Sequence, residues 1–204
     1  QGVIDSYILN NLGGYLYIWG IDPEPNAPKP SPETVKRNVI INGVWNYSYM
    51  QFYGTSDLRH VAINNIGKWR TVDKYGICAF NMTVDAARRL YIYDCDISSS
   101  VDTGIYLKSC DKMNESWWWN LGVSSNIVRF CNYNGVWLDS TNKSDVRNCK
   151  IYYTNQYSGN VGYGILLTNS AQNTIKNNEV YRNRIYGLYL IDSDRNLIFN
   201  NKVH

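Results

Sequence analysis

The chain has 204 residues, a formal charge of +3 at pH 7 and only 18% charged residues, with 18 Tyr, 7 Trp, 15 Gly and 5 Pro. That length fits one domain, the aromatic and turn-forming content fits strands rather than helices or disorder, and the small, dispersed positive charge argues against nucleic acid as a partner. No apolar run approaches the ~20 residues that span a bilayer, and no basic-then-apolar leader stands at the start.

In chain order, eight segments repeat an apolar residue, two of any kind, Asn or Cys, one of any kind, and a mostly apolar residue. They are Tyr7/Asn10/Leu12, Val39/Asn42/Val44, Val61/Asn64/Ile66, Ile92/Cys95/Ile97, Val128/Cys131/Tyr133, Val146/Cys149/Ile151, Ile175/Asn178/Val180 and Ile198/Asn201/Val203. A second, offset repeat starts on Gly14, Gly76, Gly104, Gly135, Gly164 and Gly187, with Ser48-Tyr49-Met50-Gln51 as a degenerate copy. A unit of two or three short strands recurring every 18 to 36 residues cannot bury its apolar side alone, so the copies must stack around one interior. The expected architecture is all-β, one elongated solenoid of about eight coils over residues 1–204.

Spacing places the insertions. From the Gly strand to the next Asn or Cys the last full coils take 14 residues, but Gly14 to Asn42 takes 28 and Gly104 to Cys131 takes 27. Insertions at 19–36 and 109–125 are therefore expected at one corner, and 67–75 and 154–163 at another. The first holds all five prolines between Asp22 and Pro32, which makes it stiff. The second holds Trp117, Trp118 and Trp119.

The segments Asn173-Thr-Ile-Lys-Asn-Asn-Glu-Val180 and Asn196-Leu-Ile-Phe-Asn-Asn-Lys-Val203 resemble the coils of right-handed parallel β-helix proteins, the pectate-lyase-like superfamily, and especially its NosD-type branch of periplasmic and surface proteins. The resemblance implies a single-stranded right-handed parallel β-helix. It does not choose among lyases, hydrolases, epimerases and non-catalytic surface modules, because these share the fold. Tyr75-Gly76-Ile77 resembles the opening of the alginate epimerase motif, but Cys78-Ala79-Phe80 stand where that motif has acidic residues and histidine.

Aromatic residues are the leading binding candidates. Flat rings stack on sugars and Trp recurs at binding hot spots, so Trp117, Trp118 and Trp119 suit a glycan or a partner unless they fold back on the coil. Strand alternation sends the third position of the Gly repeat outward, placing Leu16, Met50, Cys78, Tyr106, Trp137, Leu166 and Tyr189 in one ribbon. Charged residues give a weaker set: Arg129, Arg147 and Lys150 near Asp94 and Asp96 are the types that lyases of this fold use, with Ca2+ on the carboxylates and a base beside the uronate. Alternating charges on stacked strands also serve solubility alone. Only His60 and His204 are available, so no nucleophilic triad or histidine metal site is expected.

Cys95, Cys131 and Cys149 are expected as reduced thiols at successive places of the inward Asn ladder, since in-register strands hold Cβ atoms ~4.8 Å apart against the ~3.8 Å of a disulfide. Cys78 and Cys110 stay open as a pair. Sequons at Asn46, Asn81, Asn114 and Asn142 fit an extracellular or cell-surface glycoprotein. Two functional classes follow. One is a non-catalytic surface module binding glycans or neighbouring subunits, needing no cofactor and able to stack end to end into a fibre. The other is a polysaccharide lyase or hydrolase acting on an acidic glycan along a strand face.

Overall fold

The structure is a computed structural model that describes residues 2–5, 8–11, 15–19, 39–43, 48–53, 55–67, 75–81, 90–111, 122–155 and 162–204. The described residues form three parallel sheets of eight, seven and seven strands. Successive strands go to the first, second and third sheet in turn, so each circuit adds one strand to each side of a three-sided solenoid. The first sheet runs from Gly2–Asp5 through Val39–Asn42, Val61–Asn64, Asp96–Ser98, Ile127–Arg129, Lys150–Tyr152 and Glu179–Tyr181 to Lys202–Val203. The second runs from Ile8–Asn11 through Tyr49–Phe52, Ile77–Phe80, Ile105–Lys108, Val136–Asp139 and Tyr163–Thr168 to Tyr186–Ile191. The third runs from Tyr15–Trp19 through Thr55–Arg59, Leu90–Tyr93, Gly122–Ser124, Asp145–Arg147 and Thr174–Lys176 to Leu197–Phe199.

Alternation along each strand turns apolar side chains into one core. Ile63, Ile97, Val128 and Ile151 enter from the first sheet, Leu107, Leu138 and Leu167 from the second, and Leu58, Ile92, Val123, Val146 and Ile175 from the third, all fully buried. Burying each such side chain contributes roughly 1.5–3 kcal/mol. The glycine repeat marks where the chain enters the second sheet: a Cβ on Gly164 would lie 2.3 Å from Val180 Cγ1 and 2.6 Å from the Gly187 carbonyl oxygen.

The corners share one local solution. After an inward apolar residue come an outward residue, a left-handed residue, and a small inward polar group or thiol. Between the third and first sheets the left-handed column is His60, Asp94, Ser125, Asn148, Asn177 and Asn200, and the inward column behind it is Cys95, Asn126, Cys149, Asn178 and Asn201. Each amide bridges coils: Asn178 Oδ1 accepts the Cys149 N–H at 3.0 Å while Nδ2 donates to the Val146 carbonyl at 3.0 Å. Between the first and second sheets the inward column is Ile66, Ser100, Cys131, Thr154 and Asn183, and between the second and third it is Cys110, Thr141, Ser170 and Ser193.

This register corrects several expectations. Val128 pairs with Ile97 and Ile151 in the first sheet, so Cys131 belongs to a different corner from Cys95 and Cys149, and Asn126 fills the rung between those two. Val39 and Asn42, and likewise Val61, Asn64 and Ile66, run from the first sheet toward its corner with the second. All five cysteines are buried and free, Cys78 and Cys110 included. Leu16 lies in the third sheet, and Met50 pairs with Ile77 and faces inward, leaving Gln51 in the outward ribbon. The flanking strands put the connection 20–38 between the third and first sheets and 112–121 between the second and third, so the spacing behind a shared corner does not hold there. Connections 68–74 and 156–161 both join the first sheet to the second. No helix among the described residues is long and apolar enough to cross a membrane.

Candidate functional site: an aromatic ribbon on the second sheet

The outer face of the second sheet carries most of the expected ribbon, buried at Cys78, Tyr106 and Leu166, half-buried at Gln51 and Trp137 and exposed at Tyr189. Register places Gln51, Cys78, Tyr106, Trp137, Leu166 and Tyr189 side by side. Cys78 is buried and Tyr106 is only 2% exposed, packed with Phe80 and against Tyr75 and Trp137. Tyr75 meets Tyr106 edge-on at 4.7 Å, and Tyr53 stacks on Phe80 at 5.2 Å. Of the residues standing where the epimerase motif has its acids and histidine, Cys78 and Phe80 are thus buried in this aromatic cluster, and Ala79 faces the core.

Further along, the ribbon opens. Tyr189 is 36% exposed and Tyr186 52%. Tyr163 lies 5.1 Å from Tyr189 and 6.1 Å from Tyr186, and Tyr186 lies 5.1 Å from Tyr189. Burial, with the two neighbouring rings, pushes the Tyr163 hydroxyl pKa up. Toward the other end of the same strands runs a polar chain: Trp137 Nε1 donates to Thr168 Oγ1 at 2.9 Å, Thr168 donates to Asp139 Oδ1 at 3.1 Å, and Tyr106 donates to Asp139 Oδ2 at 2.8 Å. Exposed rings beside fixed hydroxyl and carboxylate groups can hold a sugar, with the rings covering its C–H face and the polar groups meeting its hydroxyls. Tyr163 and Tyr186 carry no such signal in the sequence: they stand two positions before the inward Ile165 and Leu188, so alternation alone would turn them to the core, and their place beside Tyr189 is set where the chain enters the strand.

The charged candidates do not converge. Asp96 and Arg129 form a two-pronged pair at 3.2 and 2.9 Å on the first sheet, where Lys150 faces Glu179 at 3.9 Å. Arg147 points out from the third sheet. Asp94 is buried at the corner between those sheets, 3.0 Å from His60 Nδ1. Among the described residues no group of three or more His, Cys, Asp or Glu is placed to hold a metal ion. Other rings are already spent on each other: Tyr152 stacks on Tyr181 at 4.8 Å and 9°, Tyr181 on His204 at 5.3 Å and 7°, and Phe130 on Tyr153 at 5.4 Å and 6°.

Trp117, Trp118, Trp119, Asn46 and Asn114 lie outside the described residues. Asn81 is exposed in a left-handed turn. Asn142 is half-buried, its amide oxygen accepting the Ala171 N–H at 2.8 Å.

A family model described as a right handed beta helix region matches residues 74–204. Among solved structures, the periplasmic alginate epimerase AlgG is similar with a TM-score of 0.57 at 17% identity, and a single-residue mutant of it with 0.59 at 15%. Each match covers 80% of this chain and 47% of the other, so the chain spans about half the length of those structures. No curated protein matches the chain.

Proposed function

The chain belongs to the right-handed β-helix family, and we propose that it is a non-catalytic module of the cell surface or envelope that binds a glycan on the ribbon from Trp137 to Tyr189. The observation that carries this reading is the cluster of exposed Tyr186 and Tyr189 with half-buried Tyr163, on the same sheet face as the Trp137–Thr168–Asp139 chain. The dispersal of Asp94, Asp96, Arg129, Arg147 and Lys150 over two sheets and a corner, with Asp96 paired to Arg129, Asp94 to His60 and Lys150 to Glu179, favours binding over lyase or hydrolase chemistry. Fold similarity to a periplasmic alginate epimerase supports a carbohydrate ligand and an envelope setting. Exposed Asn81 supports glycosylation, and Trp117, Trp118 and Trp119 stay in the proposed binding set on their residue type. Association with neighbouring subunits is part of the same reading.

The test is calorimetric titration with a panel of neutral glucan and acidic alginate oligosaccharides. At least one should bind, and a Tyr186→Ala/Tyr189→Ala double variant should weaken that binding at least tenfold while keeping its circular dichroism spectrum. A panel with no binder, or binding equal in the variant, would refute the assignment.

A further inference from the structure

The three sheets differ in the charge they carry. Asp96, Arg129, Lys150, Glu179 and Lys202 lie on strands of the first sheet, and Asp57, Arg59, Asp145, Arg147 and Lys176 on strands of the third. The strands of the second sheet hold, among the described residues, only Lys108 and Asp139. These two are neighbours in register and opposite in sign, so the outer face of that sheet has no net charge. Asp139 is also already engaged: its carboxylate accepts from Tyr106 at 2.8 Å, Thr168 at 3.1 Å and Ser140 at 3.3 Å. Lys108 stands three strands away from Tyr186 and Tyr189, roughly 14 Å at ~4.8 Å per spacing.

The tyrosine cluster adds polarity without charge. The rings of Tyr163, Tyr186 and Tyr189 lie 5.1 to 6.1 Å apart, and none of their hydroxyls meets a hydrogen-bond partner among the described residues. Burial and the two neighbouring rings push the Tyr163 pKa up, which keeps that phenol a donor. Leu166, between Trp137 and Tyr189 in register, adds an apolar side chain. Arg184 and Asp192, both exposed, flank the last strand of the sheet with opposite charges. A carboxylate drawn onto this face would exchange water for phenol donors, with Lys108 out of reach and Arg184 solvated, and hydrogen bonds of that kind do not return the cost. An uncharged sugar ring meets no such cost, because its C–H groups cover the aromatic faces and its hydroxyls pair with the phenols.

We infer that the ribbon takes a glycan built of neutral hexoses and discriminates against sugars that carry a carboxylate. The inference rests on the glycan-binding reading above and narrows it to one ligand class. Discrimination comes from a missing counter-charge rather than from a repelling one, so the affinity for the neutral chain should not depend on salt.

The experiment titrates the full chain with cellotetraose, with mannotetraose and with the same two chains oxidised to carboxylates at C6. At least one neutral chain should bind, at least tenfold more tightly than its carboxylate form and equally at low and at high salt. Tyr186→Ala/Tyr189→Ala should remove that binding, and Arg184→Gln should leave it unchanged. Equal or tighter binding of a carboxylate form, or an affinity that falls with salt or in Arg184→Gln, would overturn the neutral class while leaving the ribbon as a glycan site. Binding of none of the four chains, or neutral binding unchanged in the tyrosine variant, would overturn the ribbon itself, so the two failures read out separately.

Discussion

Asp102, 4% exposed near the corner from the first sheet to the second, has its carboxyl pushed up from 3.8 to about 6 by burial, against the hydrogen bonds from Thr103 that favour the charged form. The folded state then binds a proton more tightly than the unfolded chain across that window. Stability should rise as pH falls from above 6 toward 4 and decline as pH rises through about 6, an effect of up to about 3 kcal/mol from this group alone. In Asp102→Asn the amide oxygen can still accept from Thr103, so this component should vanish. Urea unfolding of both proteins between pH 4.5 and 7.5 measures it, and identical pH slopes would refute the assignment. The buried thiols follow the same physics, with Cys131 and Cys149 pushed up to about 12 mainly by burial. Because the thiolate is the reactive form, neither should be alkylated by iodoacetamide at pH 8 until the chain unfolds, and rapid labelling of the native protein would contradict that placement.

At the scale of the element, stability rests on the corner ladders as much as on the strands. Asn178→Ala would leave the Cys149 N–H and the Val146 carbonyl unmet in the interior, at a cost of about 2–4 kcal/mol. Asn178→Cys, reproducing what stands at Cys149, should lose less, and denaturant midpoints of the two variants give the comparison. The solenoid was legible because the inward apolar positions and the glycine column repeat together. The exact register was not, because all three corners adopt the same left-handed turn, so Val128-x-x-Cys131 and Val146-x-x-Cys149 read alike while facing different corners. Alternation also located Tyr106, Trp137 and Tyr189 on one face. Their grading from sealed to exposed depends on Tyr53, Tyr75 and Phe80 from neighbouring coils, contacts that local spacing does not encode. Arg129, Arg147 and Lys150 look like one charged set in the sequence, and the register splits Arg147 from the other two onto a different sheet.

Over the whole molecule, parallel pairing passes from coil to coil, and each coil's interior is covered by the next. In the coil from Tyr186 to Val203 the inward residues Ile198 and Val203 are 40% and 49% exposed, whereas Ile175 and Val180, one coil earlier in register, are buried. Leu197 and Phe199 extend the same apolar surface. Another coil, from the same polypeptide or a second copy, would cover these groups and continue the three sheets, and a contact joining unlike ends does not close on itself. The 204-residue polypeptide should therefore associate end to end as its concentration rises, seen as growing mass in light scattering and as rods in negative-stain images. Ile198→Lys should suppress this with little loss of stability, because the lysine replaces a side chain that is already half solvated. A strictly monomeric particle at high concentration, or association unchanged by Ile198→Lys, would rule out this surface as the contact.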